Sequence, residues 1–200
     1  SQLVAFTKAL RVHLSLPAPV KKLLLTFPRT TPSMSMLRTA VSFLSAFDKD
    51  SEVVSQDANE RKALRIMAVM PTLIAAIHRV KQGKPIVAPK KRLNLAANFL
   101  FMLHGKAPSK EEERVMDVCL TLHAEHEMNA STFAGRVTVS TLSDMHSGIV
   151  AAISTLKGPL HGGANKLAIQ ALHYLGKELK ITDACAGTCL EHVDEYVYRL

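Results

Sequence analysis

Apolar positions recur at three- and four-residue intervals through most of this chain, and the elements this pattern predicts are helices. Leu3, Phe6 and Leu10 share one face with Lys8 and Arg11 opposite, which gives a helix over residues 3–13 closed by Pro17 and Pro19. Val20 to Phe27 reads as a short helix ended by Pro28, and Ser33 to Phe47 as another, entered through Thr31-Pro32. The longest run is Asp57 to Gln82. Its apolar residues, from Leu64 through Met67, Met70, Leu73 and Ile77 to Val80, cover so much of the circumference that the helix must be buried, against its own chain or a second subunit. Gly83 is its stop signal, and Pro71 in its middle predicts a kink or a break.

The pattern continues beyond a basic loop. Leu93 to Leu103 is helical, and Ser109 with Glu112 three residues later forms a capping box that opens a helix through Glu127. Thr138 to Leu156 is small and apolar on most sides, so it reads as one central helix broken by Gly158-Pro159. Two last helices are expected over residues 165–179 and 192–200. No stretch reads as a strand, and no repeat is visible. The fold class is therefore all-α, helices packed on helices.

Composition supports this and narrows the partners. The 200 residues suffice for one sizeable core, or one domain with part of a second, and are 48% hydrophobic, 21% charged and 5% aromatic. The formal charge of +8 is scattered apart from Lys81, Lys84, Lys90, Lys91 and Arg92. No nucleic-acid module or aromatic stacking residues accompany that cluster, so nucleic acid is not an expected partner. A solvated loop is the plain reading, and an anionic small molecule such as a nucleotide-containing thioester is the functional one. Cys119, Cys185 and Cys189 imply no disulfide framework. No uncharged apolar run is long enough for a membrane span, and the expected setting is a reducing, soluble compartment.

Two clusters could carry chemistry. His123 and His126, within His123-Ala124-Glu125-His126-Glu127, would share a face if the helix continued through them. That spacing suits a structural or dipole-related role, substrate binding or a metal. It does not suit a zinc protease, whose His-Glu-x-x-His motif sets its histidines four residues apart with Glu directly after the first. The second cluster, Gly158-Pro159-Leu160-His161-Gly162-Gly163, sets His161 on a tight turn with little bulk around it. The turn is expected to lead into a helix N-terminus near Ala164 or Asn165, where free amides would favour a neutral ring. A neutral imidazole can donate a hydrogen bond to a carbonyl becoming an enolate, and a helix-junction cap is the other reading. Cys185, Cys189 and His192 offer three ligands at non-standard spacing, so no metal site is assigned. His13, His78, His104, His146 and His173 are isolated and read as surface or satisfied core residues.

The stretches His123-Ala-Glu-His-Glu-Met-Asn-Ala-Ser-Thr-Phe133, Ser140-Thr-Leu-Ser-Asp144 and Gly158-Pro-Leu-His-Gly-Gly-Ala-Asn165 together resemble citrate synthases, above all the bacterial and archaeal type that includes 2-methylcitrate synthases. The resemblance extends upstream through Met36-Leu-Arg-Thr-Ala40, Pro71-Thr-Leu-Ile-Ala-Ala76 and Ala96-Ala-Asn-Phe-Leu100. It implies a mostly helical cytoplasmic homodimer (or one of the mitochondrial matrix in a eukaryote), with residues 1–163 in a large domain and 164–200 opening a small one. Oxaloacetate and an acyl-CoA would bind between the domains, acetyl-CoA being a substrate and no cofactor being needed. His161 would hydrogen-bond the thioester carbonyl as the catalytic residue, and His126, with His123 beside it, would bind oxaloacetate.

The resemblance also sets an expectation for this stretch taken alone. The family places a second histidine in a Gly-Phe-Gly-His-Arg motif, an aspartate base and carboxylate-binding arginines after the point matched by Leu200. Lys166 stands where relatives usually have an acidic residue, and residues 177–191 read as longer than the usual link. Loss of a general base removes about 10²–10⁴ in rate, so the isolated chain is expected to be inactive or nearly so. Three readings follow. The first is a citrate or 2-methylcitrate synthase; the second is a non-catalytic dimerising or binding module. The third is a metalloprotein using His123, His126 or Cys185.

Overall fold

The structure is a computed structural model and describes residues 2–125 and 127–162. The chain divides into two compact units, residues 1–154 and 155–200. Among the described residues there are eight α-helices and no strand, as the periodicity predicts. In chain order they are α1 (Gln2–Val12), α2 (Ala18–Thr26), α3 (Ser33–Leu44), α4 (Gln56–Lys81), α5 (Leu95–His104), α6 (Lys110–Leu122), α7 (Ala130–Ser140) and α8 (Met145–Leu156). A single 3-10 turn, Ser45–Phe47, extends α3.

The first unit is organised around α4. Val69, Leu73, Ala76, Ile77 and Val80 of α4 meet Val20 and Leu24 of α2, and Met36, Ala40, Val41 and Leu44 of α3, with Leu16 and Ile153 closing the cluster. Leu73 is fully buried there, and each such side chain contributes roughly 1.5–3 kcal/mol of hydrophobic stabilisation. A second cluster joins Ala75 of α4 to Phe101 and Met102 of α5. The most apolar 18-residue stretch of α4 is 56% buried inside the protein, as a core helix requires.

Local chemistry explains the helix ends. The Ser55 hydroxyl accepts the Ala58 N–H to start α4, and Gly83, at φ +69°, lets the chain leave it. Asn94 caps α5 in the same way, and Gly105 closes it in the left-handed conformation. The Ser109–Glu112 capping box forms as its sequence spacing requires. The expected break at Pro71 does not occur: α4 runs unbroken from Gln56 to Lys81. A proline removes one backbone donor, whereas buried Ala68, Val69, Thr72 and Leu73 hold the chain on either side of it. The Thr72 hydroxyl also donates to the Leu14 carbonyl at 2.7 Å.

Two boundaries differ more from the sequence pattern. The helix expected to reach Glu127 stops at Leu122, and the one expected over residues 138–156 is two helices, α7 and α8, separated at residues 141–144. Leu142 at φ +65° and the carboxylate of Asp144 make that division. Asp144 accepts the Ser147 N–H at 3.0 Å and the Ser147 hydroxyl, so α8 has its own N-terminal cap. Of α8 only His146, Gly148 and Ile153 are buried, so it is less central than its composition suggests.

Candidate active site

His123 closes α6. Its backbone N–H and its ring Nδ1 both reach the Cys119 carbonyl, at 3.1 and 2.7 Å. A carbonyl can only accept, so Nδ1 is the donor in this contact. Past His123 the chain leaves the helix: Glu127 has φ +50°, and its N–H donates to the Glu125 carboxylate. Asn129 then accepts the Thr132 N–H at 2.9 Å and starts α7. His123 thus sits at a helix terminus and not on a continuous helix face shared with His126. His126 itself lies outside the described residues. The physical reason for the early stop is that residues 123–127 supply no apolar side chain longer than Ala124 for a buried face.

His161 lies on a tight turn, as its glycine-rich setting predicts. Gly158 N–H bonds to the Thr155 carbonyl at 3.0 Å, and His161 N–H to the Gly158 carbonyl at 3.1 Å. Leu160 at the tip is 99% exposed, while His161 is half-buried. At Gly162 any side chain would collide with the Leu156 carbonyl and side chain, so the backbone folds back tightly just after the histidine. The helix expected from Asn165, and Cys185, Cys189 and His192, lie outside the described residues. Among the described residues no group of three His, Cys, Asp or Glu side chains is arranged to hold a metal ion.

A polar cluster went unread in the sequence. Arg61 and Arg65, one helical turn apart on α4, bind the turn after α3. Arg61 meets both Asp50 oxygens at 3.0 and 3.1 Å, and Arg65 meets Asp48 at 2.5 and 3.0 Å and Asp50 at 2.7 Å. Lys62, 1% exposed, donates to the Ser51 and Val53 carbonyls. Hydrogen bonds from Arg61 and Arg65 hold the Asp50 carboxyl well below the usual carboxylate range. His146 is 3% exposed, with Nε2 3.8 Å from Asp48 and Nδ1 3.8 Å from Asp144. Burial pushes its ring down from the ordinary histidine value; Asp48 and Asp144 oppose this, and Lys62 and Arg65 reinforce it. Burial raises Asp144, but hydrogen bonds from Ser147 outweigh that and hold it low. The signal was present as Asp48-x-Asp50 ahead of Arg61-Lys62-x-x-Arg65, a short acidic turn facing a basic helix end.

The basic loop is less free than a solvated run. Lys81 donates to the Thr31 carbonyl at 2.6 Å, and Lys90 lies 3.9 Å above the Phe101 ring. Buried Arg79 ties the loop to α5 through the Pro85 and Leu103 carbonyls.

Comparison with known proteins places this geometry in a family. The citrate synthase C-terminal domain pattern matches residues 1–197. A citrate synthase of Deinococcus radiodurans is 43% identical over 175 residues, which cover 88% of this chain and 46% of that protein. A 2-methylcitrate synthase of Shewanella oneidensis is 39% identical over 188 residues, 94% of this chain and 49% of that one. Among solved structures, citrate synthase from Pyrobaculum aerophilum superposes with a TM-score of 0.81 at 35% identity, covering 87% of this chain and 46% of its own. The Thermoplasma acidophilum citrate synthase, solved in ternary complex with carboxymethyl coenzyme A and oxaloacetate, gives 0.80 at 32%, covering 90% and 46%. The chain spans about half the length of the relatives it matches. With an all-helical fold, the glycine-bound turn at His161 and a family match along nearly its whole length, this chain belongs to the citrate synthase family.

Proposed function

We propose that the protein to which this chain belongs condenses an acyl-CoA with oxaloacetate, giving citrate and free CoA from acetyl-CoA. The observation that carries this reading is the family match through the turn bearing His161, a histidine held by backbone on a glycine-bound tip. In the reaction the acyl methyl group loses a proton, the resulting enol carbon attacks the oxaloacetate carbonyl, and water cleaves the thioester. His161 serves the first step by donating a ring N–H hydrogen bond to the thioester oxygen as negative charge builds there. His126, with His123 beside it, is assigned to oxaloacetate. Support for these substrates comes from the Thermoplasma acidophilum relative, solved with carboxymethyl coenzyme A and oxaloacetate. Residues 1–163 as a large domain, residues 164–200 opening a small one, and a cytoplasmic setting belong to the same proposal. The last has the bacterial and archaeal relatives as its support.

The test is oxaloacetate-dependent release of CoA thiol. Replacing His161 with Ala should lower kcat by about 10²–10³, the usual loss for one oxyanion donor. Unchanged turnover would remove His161 from the mechanism. Relatives of both names match this chain, so acetyl-CoA and propionyl-CoA are compared by kcat/KM.

A second copy of the chain is part of the proposal. Val115, Val118 and Leu122 line one face of α6 at 58%, 49% and 73% exposure, and Phe133 and Val137 line α7 at 62% and 51%. Neither helix has a buried residue. Such paired apolar stripes suit an isologous helix interface. Sedimentation should give a dimer of the 21.9 kDa chain, and Val118→Asp should give a monomer; a wild-type monomer would refute the interface.

A further inference from the structure

The cluster around His146 is not used by the condensation, and it is built in an unusual way. His146 is the second residue of α8 and is 3% exposed, yet its Nδ1 has no hydrogen-bond partner. Both facing carboxylates stand 3.8 Å away, beyond hydrogen-bond reach. Asp48 cannot turn to the ring, because Arg65 holds both of its oxygens. A cavity of about 190 Å³ adjoins the ring, lined on its polar side by His13, Ser15, Asp48 and Arg65.

The charges facing the ring come from every side. Asp48 lies on the turn after α3 and Asp144 at the start of α8 itself; Lys62 and Arg65 reach in from α4, and His13 stands across the cavity from the α1–α2 connection. Asp50 and Arg61 complete the network. Three carboxylates (Asp48, Asp50, Asp144) thus balance three cations (Arg61, Lys62, Arg65) when His146 is neutral. A proton on the ring adds a buried charge whose two nearest carboxylates, at 3.8 Å, are already bonded to Arg65 and Ser147. A direct hydrogen bond to it requires Asp48 to leave Arg65 or Asp144 to leave Ser147, and otherwise the ring gains by swinging to water through the cavity.

We propose that His146 is a proton-operated latch: neutral, it lets the N-terminus of α8 seat on the Asp48–Val53 turn, and proton uptake releases that seat. The sign follows from linkage. Packing lowers the proton affinity of the ring below its ordinary value of 6.5, so the seated state is fully favoured above that pH. Below it the ratio of seated to released forms falls by up to about tenfold per pH unit, down to the depressed value. The partly formed cavity gives the released ring a route to solvent without unfolding α4.

Hydrogen exchange of the chain between pH 8 and pH 5, corrected for intrinsic rates, tests this. Protection of residues 48–53 and 145–148 should fall with pH in the wild type and stay flat in His146→Phe, while residues 66–77 of α4 keep theirs in both. Flat wild-type protection, or an equal fall in the variant, overturns the latch. Should the variant fail to fold, the His146 ring resonance of the wild type decides. A midpoint below the ordinary histidine value supports the latch, and one at or above that value overturns it.

Discussion

A methyl group added at Gly148 sets a gain in helix propensity against one identifiable collision. On α8, a Cβ at Gly148 would lie 2.6 Å from Val139 Cγ1 of α7, where carbon atoms prefer about 3.5–4.0 Å. Gly148→Ala gains about 1 kcal/mol of helix propensity. Against that, forced overpacking at a helix contact costs about 1–3 kcal/mol. The single substitution is therefore expected to be neutral to about 2 kcal/mol destabilising, which hides the collision inside a compensating gain. A double-mutant cycle separates the two. In a Val139→Ala background the colliding atom is gone, and Gly148→Ala should stabilise by about 1 kcal/mol, a coupling of about 1–3 kcal/mol. Urea denaturation with constant m measures it. Gly135→Ala is the control, because its Cβ would meet the Gly148 carbonyl oxygen at 3.2 Å, a backbone atom that trimming Val139 cannot move. Gly148→Ala having the same effect in both backgrounds, within about 0.5 kcal/mol, would refute the proposed close approach of α7 and α8.

Two further outcomes follow from the core and the ion-pair network. Leu73→Ala should cost about 2–5 kcal/mol in chemical denaturation, whereas Met67→Ala, on the half-exposed side of the same helix, should cost under about 1 kcal/mol; comparable losses would mean α4 is seated on another face. Because Arg61 and Arg65 hold Asp50 below the carboxylate range, its stabilising effect is complete above that range and is lost as pH falls through the depressed value. Arg65→Gln should therefore move the acid-unfolding midpoint, followed by circular dichroism, to higher pH, and an unmoved midpoint would show that the pairing contributes nothing.

Helices with a buried stripe or a side-chain cap were legible from sequence because their determinants are local. Ser109–Glu112, Gly83 and the apolar stripe of α4 each act within a few residues, and each has the structure its spacing implies. Pro71 does not break α4, because its effect is set by packing on that helix and not by the proline alone. The α7–α8 division misled because Leu142 adopts a left-handed conformation that its residue type does not announce. Of the site, the His161 turn was readable from glycine and proline. The placement of His123 was not, since it depends on where α6 runs out of residues to bury. His146 is isolated in sequence because Asp48 and Lys62 are distant along the chain, and only the fold brings them together.

The hydrophobic core and the residues around His123 lie on different helices. The first unit's core belongs to α2, α3, α4 and part of α5, whose buried residues hold one another whatever happens elsewhere. His123 ends α6, and the Asn129 cap begins α7, two helices with no residue buried within the chain. Within the chain α6 packs on α5, and α7 approaches α8 at Gly148, so a second copy on their remaining exposed apolar faces would add to the order of both helices. On that proposed interface, the loop presenting His123 becomes a product of association as well as of folding. Dilution below the dimer dissociation constant should then weaken oxaloacetate binding before it melts α4. Oxaloacetate affinity that stays constant while sedimentation shows monomers would separate the site from the interface.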